Sequence, residues 1–324
     1  MQQKAILVLG AGRSGTSTLV RALKALGVYL GRDFKRPTRK NPRGFYEEIH
    51  LLRLSKRVRR AAGLRPESVH LPPEEVWQTA RMAELKSRMR EAIVRHMGDA
   101  PVWGFKYAST GKLLPFWMAL LPEMNIRPAF VFAYRNPLSV ARSRARLDRF
   151  RGRQQKSDLE WLVNVVPWLH LTRGCPLVVV DYDRLVNEPE AQLRRMAARL
   201  GLDGAGPQQA GLDQGIESFC REFLNRDLRH TRFSDDDLRA NESLHPMVRE
   251  AALWLSAAAA DRIDLDQGLF WYRWARLRER LYEMRSLLGL VDALQDDVRR
   301  ARWWDVVTPI RQGWKAMPLL RKAR

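Results

Sequence analysis

The sequence predicts an α/β fold with a mostly parallel central sheet, followed by an all-helical extension. Four apolar runs indicate buried strands, at residues 5–9, 102–106, 129–134 and 177–180. Segments with helical periodicity separate them, at residues 74–97, 137–147, 159–171 and 190–200. Strands that alternate with helices are typical of a parallel sheet. Residues 203–215 are predicted to be a loop, and no strand pattern remains after about Pro246.

Length and charge limit the possible classes of protein. The 324 residues suffice for one large domain or for one domain with an extension. A hydrophobic content of 45% excludes a largely disordered chain, and the net charge of +21 predicts anionic partners. The only cysteines, Cys175 and Cys220, cannot form a disulfide framework, which favours a reducing compartment. No segment is typical of a signal peptide or a membrane span, so we expect a cytoplasmic location.

A glycine-rich loop follows the first predicted strand and precedes a predicted helix. Residues 10–17 read GAGRSGTS, and in this context backbone N–H groups and the helix N-terminus can bind a phosphate. The spacing approaches that of ATP- and GTP-binding loops, but Thr16 replaces their lysine and Arg13 supplies the positive charge. An ordinary ATPase or GTPase is therefore disfavoured. A glycine-rich turn without a ligand is the alternative.

A second anion-binding segment follows the third predicted strand. Arg135 lies at the carboxyl end of that strand, where open α/β sheets bind ligands. Pro137 suits the first turn of a helix, and Ser143 lies about two turns further on, where it can face back towards Arg135. An arginine at a strand end is more often structural. Together with the glycine-rich loop, however, it predicts a second phosphate pocket.

These two segments together resemble the sulfotransferases that use 3′-phosphoadenosine 5′-phosphosulfate (PAPS). In that family the loop holds the 5′-phosphosulfate, and the arginine and serine of the second segment bind the 3′-phosphate. The resemblance covers about residues 4–235, with further similar segments at 41–47 (NPRGFYE), 180–185 (VDYDRL) and 228–230 (LRH). It implies a P-loop-type three-layer sandwich. The implied cofactor-binding residues are Gly12, Arg13, Ser14, Gly15, Thr16, Ser17, Arg135, Ser143 and Arg229.

The resemblance also implies a mechanism without a metal, in which 3′-phosphoadenosine 5′-phosphate is the product. Arg13 would stabilise the leaving phosphate and Lys106 the sulfuryl oxygens, because charge stabilisation dominates such transfers. Glu47 is the first candidate for the base that deprotonates the acceptor. Glu48 and His50 are alternatives, although a solvated carboxylate and a histidine on a helix face explain them as well. Many bacterial relatives read K-D-P-R where this chain reads KYAS at 106–109, which leaves the contacts to the acceptor open.

Other classes of function remain as alternatives at this point. A P-loop kinase is one, because residues 177–181 (LVVVD) mimic a Walker B strand. A non-enzymatic binder of polyanions or nucleic acid is suggested by charge alone. The basic runs 53–65 and 142–153 lack interleaved aromatic residues apart from Phe150, so we interpret them as solvated faces and expect no nucleic acid. The histidines and cysteines show no metal-binding spacing. The acceptor is expected to be a glycan, a lipid or a small molecule, with a glycan or glycolipid preferred.

The chain divides into an α/β domain (1–240), a helical extension (241–300) and a basic, tryptophan-rich tail (301–324). Apolar residues of the extension follow a four–three spacing, at Phe270, Trp274, Leu277, Leu281, Met284, Leu288, Val291 and Val298. This pattern predicts a coiled coil that forms a homo-oligomer through 269–300, or a long helix packed on the chain's own domain. The tail has the composition of an interfacial segment, broken by Pro309 and Pro318. Binding to the inner face of an anionic membrane and packing on the domain are both open.

Overall fold

The computed structural model describes residues 2–36, 44–148, 152–203, 207–223 and 233–316. For residues 207, 208, 222, 223 and 301–316 it describes the backbone alone. The strands are β1 (Lys4–Leu9), β2 (Val102–Lys106), β3 (Arg127–Tyr134) and β4 (Leu177–Asp181). The helices of the first half are α1 (Thr16–Ala25), α2 (Ile49–Ala61), α3 (Ala80–Met97), α4 (Leu114–Glu123), α5 (Pro137–Ala145) and α6 (Gln154–Leu169). Those of the second half are α7 (Tyr182–Asn187), α8 (Pro189–Leu200), α9 (Pro207–Ser218), α10 (Asp235–Ala240), α11 (Pro246–Ala259), α12 (Gly268–Glu283) and α13 (Arg285–Ala316).

The four strands form one parallel sheet in the order β2-β1-β3-β4, which confirms the predicted strands and their direction. In the register, Val8 pairs with Lys106 of β2 on one side and with Val131 of β3 on the other. The chain leaves β1 towards β2 and then returns to the opposite side of β1 as β3. The order in which strands are added to the sheet therefore reverses between β1 and β3. Open α/β sheets bind ligands at the carboxyl ends of the strands beside such a reversal.

Helices cover both faces of the sheet, which confirms the three-layer α/β arrangement. Ile6 and Val8 of β1 belong to a core with residues of α1, α8 and α9. Leu7 and Leu9 belong to a larger core with residues of α2, α3, α4, α6, α11 and α12. Because neighbouring residues of a strand point to opposite faces, a continuous apolar run fills both cores at once.

Two predictions about local structure were wrong. The predicted helix 74–97 is divided into a 3₁₀ turn (Glu74–Gln78) and α3, because Thr79 is extended and its hydroxyl accepts a hydrogen bond from the Met82 N–H (3.3 Å). The predicted loop 203–215 contains most of α9. Its glycine content lowers helix propensity, but a Cβ atom on Gly215 would lie 1.9 Å from the Ala25 carbonyl oxygen. Close packing on α1 therefore requires that glycine and outweighs propensity.

The helical extension packs on the α/β sheet. Helix α11 contacts β3 and β4, and α12 contacts α6 and α11. The Trp274 indole N–H donates to the Val166 carbonyl (3.1 Å). The apolar seam is interrupted at Met284, between α12 and α13, and five of its side chains are buried within the chain's own core: Phe270, Trp274, Leu277, Leu281 and Leu288. These five residues therefore pack on the chain's own domain, which was the alternative to a coiled coil between chains. Oligomer formation through 269–300 and the domain boundaries stay predictions.

The backbone of α13 continues as a helix to Ala316 and so passes through Pro309, where the sequence predicted a break. Pro318 lies outside the described residues, as do the side chains on which membrane contact of the tail would depend. Within the described part of the chain, no helix is both long and apolar enough to cross a bilayer.

Candidate active site

The glycine-rich loop after β1 is shaped by two glycines with positive φ. Gly10 (φ 132°) passes so close to β3 that a Cβ atom there would lie 2.6 Å from the Ala133 carbonyl oxygen. Gly15 (φ 86°) precedes α1, and a Cβ atom there would lie 2.1 Å from the Tyr182 ring. No other residue fits either position without moving its neighbours. The loop is thereby held between the carboxyl ends of β1, β3 and β4.

Arg13 is also in the left-handed region, with φ 78°. For a residue with a side chain this conformation costs about 1–3 kcal/mol, and such strain concentrates at functional sites. The Arg13 Nε donates to the Ser143 hydroxyl of α5 (3.1 Å). The neighbouring Ser14 hydroxyl is buried and has no hydrogen-bond partner among the described residues. The loop therefore brings together the first and second predicted phosphate segments.

The N-terminus of α1 opens onto the same loop. No side chain caps it, and no acidic residue lies in its first turn, which contains Thr16 and Ser17. The first N–H groups of a helix have no partner within the helix and carry the positive end of its dipole. An anion can therefore bind at this end of α1.

Arg135 adds a second guanidinium at the end of β3. It is buried, donates to the Arg13 carbonyl (3.3 Å) and lies over the Tyr182 ring at 4.7 Å. Its Nε has no hydrogen-bond partner in the part of the chain that the structure describes. Burial and, secondarily, the Arg135 charge lower the pKa of Arg13 below its ordinary value. Among the described residues, no carboxylate forms an ion pair with Arg13 or Arg135. Within the described part of the chain, no acidic side chain therefore neutralises these two positive charges by direct pairing.

A buried ion pair lies at the end of β2, next to the loop. The Lys106 Nζ is 2.9 Å from Glu47 Oε1, and the two residues are 4% and 3% exposed. Lys106 also donates to the Ser17 hydroxyl in the first turn of α1 (3.3 Å). Burial lowers the pKa of Lys106, and the Glu47 carboxylate opposes that shift. Lys106 thus joins the glycine-rich loop to the predicted base.

Lys35 extends this cluster on the other side of Glu47. Its ammonium lies 3.5 Å from Glu47 Oε2 and 3.6 Å from the centre of the Phe45 ring. The Lys106 ammonium lies 5.8 Å from the same ring. One carboxylate is therefore shared between two ammonium groups, each of which also has an aromatic contact.

The two alternative bases have other surroundings. Glu48 is buried and not solvated as expected, because its Oε2 accepts the Leu51 N–H (2.7 Å) and caps the N-terminus of α2. His50 stacks on His96 and lies beside Asp33. The contacts found for His50 among the described residues do not include Glu47 or Lys106. Of the three candidates, Glu47 alone is paired with Lys106.

Some residues that the sequence predicts for the site lie outside the described residues, and some residues of the described site were not predicted. Arg229 lies outside the described residues, as do residues 41–43 of the similar stretch before Glu47. Lys35 was missed, because no spacing distinguishes it from the other basic residues. Tyr182 was part of a similar segment, yet its contacts with Gly15 and Arg135 become visible only in three dimensions. The catalytic and binding roles of all these residues remain predictions.

Comparison with known proteins assigns the chain to a family. A model of the sulfotransferase family matches residues 5–205, which is well over half of the chain. The chain belongs to the sulfotransferase family. Two solved sulfotransferase structures are similar to it at low identity. The sulfotransferase domain of the olefin synthase from Synechococcus PCC 7002 has 18% identity and a TM-score of 0.43, over 81% of this chain and 95% of that one.

The second similar structure is sulfotransferase STF1 from Mycobacterium tuberculosis H37Rv. It has 17% identity and a TM-score of 0.42, over 78% of this chain and 77% of that one. No curated protein matches the sequence. Membership of the sulfotransferase family therefore follows from the family model.

Proposed function

We propose that this sulfotransferase uses PAPS as donor and transfers the sulfuryl group to an acceptor hydroxyl or amine. One observation supports this most strongly. The guanidinium groups of Arg13 and Arg135, which pair with no carboxylate among the described residues, border the open N-terminus of α1 at the point where the strand order of the sheet reverses. A donor with phosphates at both its 3′ and 5′ positions supplies the two anionic groups that these features require.

The two phosphate positions would be bound by different elements. Residues 12–17 and the first turn of α1 would hold the 5′-phosphosulfate, through N–H groups and the Arg13 guanidinium. Arg135 and Ser143 would hold the 3′-phosphate. The Arg135 Nε, buried and without a partner, is one donor that such a phosphate could engage. Arg229 is proposed to contribute as well, from the family resemblance alone.

The ion pair at β2 would act on the acceptor side. As the acceptor oxygen attacks sulfur, the bond from sulfur to the phosphate oxygen breaks and negative charge grows on that phosphate. Arg13 would stabilise this charge, and Lys106 would stabilise the sulfuryl oxygens, since it reaches both the loop and Glu47. Glu47 would accept the acceptor's proton. Its Oε2 is the freer oxygen for this task, because its contact with Lys35 is longer than that of Oε1 with Lys106.

A kinase-like reaction is less well supported. Asp181, which resembled a Walker B aspartate in the sequence, caps α7 by accepting the N–H groups of Asp183 (2.7 Å) and Arg184 (3.0 Å). We further propose that the acceptor is a glycan or glycolipid. The protein would act in the cytoplasm, where residues 301–324 would bind it to the inner face of the membrane. Charge and composition alone support these parts.

Calorimetric titration with 3′-phosphoadenosine 5′-phosphate tests the donor site. The wild-type protein should bind it more tightly than ATP. Arg135→Ala should weaken binding about 10- to 100-fold, as expected for the loss of a charge-assisted contact of roughly 1.5–3 kcal/mol. Arg142→Ala removes an exposed arginine from α5, the helix that follows Arg135, and should have little effect. Equal affinity for ATP, or unchanged binding by Arg135→Ala, would contradict the proposal.

A further inference from the structure

Three potential metal ligands from separate elements meet beside α2. Asp33 lies in the segment after α1, His50 in the first turn of α2, and His96 in the last turn of α3. One ligand atom of each lies within 4.8 Å of the other two. Among the described residues, this is the one group of three or more histidine, cysteine, aspartate or glutamate side chains that is so arranged.

The backbone holds these residues in place through short-range pairing. The Ile49 N–H donates to the Asp33 carbonyl (2.7 Å), and the Lys35 N–H donates to the Glu47 carbonyl (2.9 Å). Phe34 and Glu48 form an isolated antiparallel bridge between these two bonds. Helices α2 and α3 pack against each other, which brings His96 to His50. The positions of all three residues are therefore set by backbone hydrogen bonds and helix packing.

The separations between the ligand atoms, though not yet the ring orientations, are close to what a metal ion requires. The rings of His50 and His96 are stacked with centroids 3.9 Å apart and an angle of 10° between their planes. The His50 Nε2 lies 3.9 Å from Asp33 Oδ2. Bonds of about 2.0–2.1 Å to a tetrahedral zinc ion place neighbouring ligand atoms roughly 3.3 Å apart. Because a ring nitrogen binds metal in the plane of its ring, binding would turn the two rings out of their parallel stack and draw the exposed Asp33 and the two half-buried histidines to that separation.

We propose that Asp33, His50 and His96 bind a divalent transition-metal ion, for which Zn²⁺ is the reference. Two imidazoles and one carboxylate are ligands that Zn²⁺ accepts, and a fourth position would be left to water. The ion would fasten the segment around Asp33 to α2 and α3. The absence of metal-binding spacing in the sequence does not exclude such a site, because its ligands come together only through the fold.

The bound ion would also affect how His50 is interpreted. A histidine with one ring nitrogen bound to a metal and a proton on the other has no lone pair with which to act as the base for the acceptor. Glu47 lies three residues before His50, in the segment that pairs with Asp33 and Lys35. The ion would thus steady the segment that carries Glu47 without contacting the reacting groups. Metal binding itself is independent of sulfuryl transfer.

Direct metal titration of the full-length, tag-free protein tests this site. After treatment with a chelator, the wild-type protein should bind one equivalent of Zn²⁺, measured by calorimetry or by competition with a chromophoric indicator. Co²⁺ should give the visible absorption of a tetrahedral site. Because loss of an outer partner of a metal ligand already costs about 10–100-fold in affinity, His50→Ala, His96→Ala and Asp33→Asn should each cost at least about 100-fold.

His70→Ala is the matched control. His70 also lies beside an aspartate, with its Nδ1 2.6 Å from Asp292 Oδ2, but it has no third ligand within the described residues. Its replacement should leave Zn²⁺ affinity unchanged. Circular dichroism of the metal-free proteins identifies any variant that fails to fold. If a histidine variant fails, Asp33→Asn is the decisive variant, because Asp33 is exposed and its replacement should not disturb folding. Absence of one-equivalent binding in the wild-type protein, or the same affinity in Asp33→Asn, would overturn the proposal.

Discussion

The buried pair between Glu47 and Lys106 should respond unequally to loss of its two members. Glu47→Gln removes the carboxylate that pairs with Lys106 and leaves that ammonium the Ser17 hydroxyl at 3.3 Å. Lys106→Met leaves Glu47 with a second ammonium, Lys35, at 3.5 Å. We therefore expect Glu47→Gln to destabilise the fold more than Lys106→Met, although both remove the same ion pair.

The magnitude follows from the burial of the pair. Breaking a buried ion pair by removing one member costs about 3–5 kcal/mol, because a charge stays behind without its partner. The amide introduced by Glu47→Gln would still accept a hydrogen bond, so we expect a cost of about 2–3 kcal/mol for this variant. For Lys106→Met we expect about 1 kcal/mol, since Glu47 keeps Lys35. The double variant, Glu47→Gln with Lys106→Met, should be no less stable than Glu47→Gln alone. Its cost should therefore fall short of the sum of the two single costs by about 1 kcal/mol or more.

The pH dependence of Glu47→Gln should reveal the unpaired ammonium. Burial lowers the pKa of Lys106 and the Glu47 charge opposes this, so loss of Glu47 should lower the pKa further. A lysine with a lowered pKa binds fewer protons in the folded state than in the unfolded state. Its cost is complete below the folded pKa and disappears as the pH rises towards the unfolded value. The variant should therefore be more stable at about pH 9.5 than at about pH 7, by a larger difference than the wild-type protein shows.

Urea unfolding of the four proteins, followed by tryptophan fluorescence at both pH values, measures these differences. Turnover with labelled donor, on any acceptor that the wild-type protein uses, should fall about 10²–10⁴-fold in Glu47→Gln, while nucleotide affinity is kept. If Lys106→Met proved as costly as Glu47→Gln, or if the two costs simply added, the reasoning from the pair would be wrong. Full turnover by Glu47→Gln would exclude Glu47 as the base.

Three further predictions concern other parts of the molecule. Gly15→Ala should cost at least about 2 kcal/mol of unfolding free energy, because of its positive φ and the ring beside it, whereas Gly12→Ala, with open space around it, should cost less than about 0.5 kcal/mol. Burial lowers the pKa of Lys112 to about 8. The unfolding free energy of the wild-type protein should therefore rise above about pH 8 relative to that of Lys112→Met, by at most about 3 kcal/mol. Parallel profiles of unfolding free energy against pH for the two proteins would refute this. If the chain forms oligomers through 269–300, Leu290→Glu with Leu294→Glu, both 54% exposed, should yield monomers by light scattering, and a monomeric wild-type protein would refute the oligomer.

Much of the fold could be predicted because the sheet leaves a strong pattern. The strands are buried on both faces, so each is an apolar run that stands out from its surroundings. The ends of helices were harder to predict, because single residues determine where a helix begins or ends. Thr79, which caps the N-terminus of α3, is an example. The seam after Phe270 had the spacing of a coiled coil, but the same spacing also serves a helix pair that covers the chain's own core. Sequence periodicity identifies an apolar face and does not identify its partner.

The candidate site was predictable where it follows strand ends. The glycine-rich loop, Lys106 and Arg135 come directly after β1 or at the ends of β2 and β3, so a parallel sheet must bring them to one edge. The contact between Lys106 and Glu47 could not be derived in this way, because Glu47 lies in irregular structure. The meeting of His50 with His96 depends on how α2 and α3 pack. Tertiary packing sets both arrangements, and no local spacing encodes them.

Helix α11 has a consequence for how the protein is made. Residues 5–205 match the family model, yet part of one face of β3 and β4 is covered by α11, which begins only at Pro246. On the ribosome, the core around α1 and α8 can form early, while the part of the opposite face that lies over β4 and the adjoining part of β3 waits for α11. At about 5–20 residues per second, the roughly 100 residues after β4 take on the order of 5–20 s to emerge. During this interval a nascent chain presents that apolar part of the sheet to chaperones, and a fragment ending at the family boundary would present it permanently.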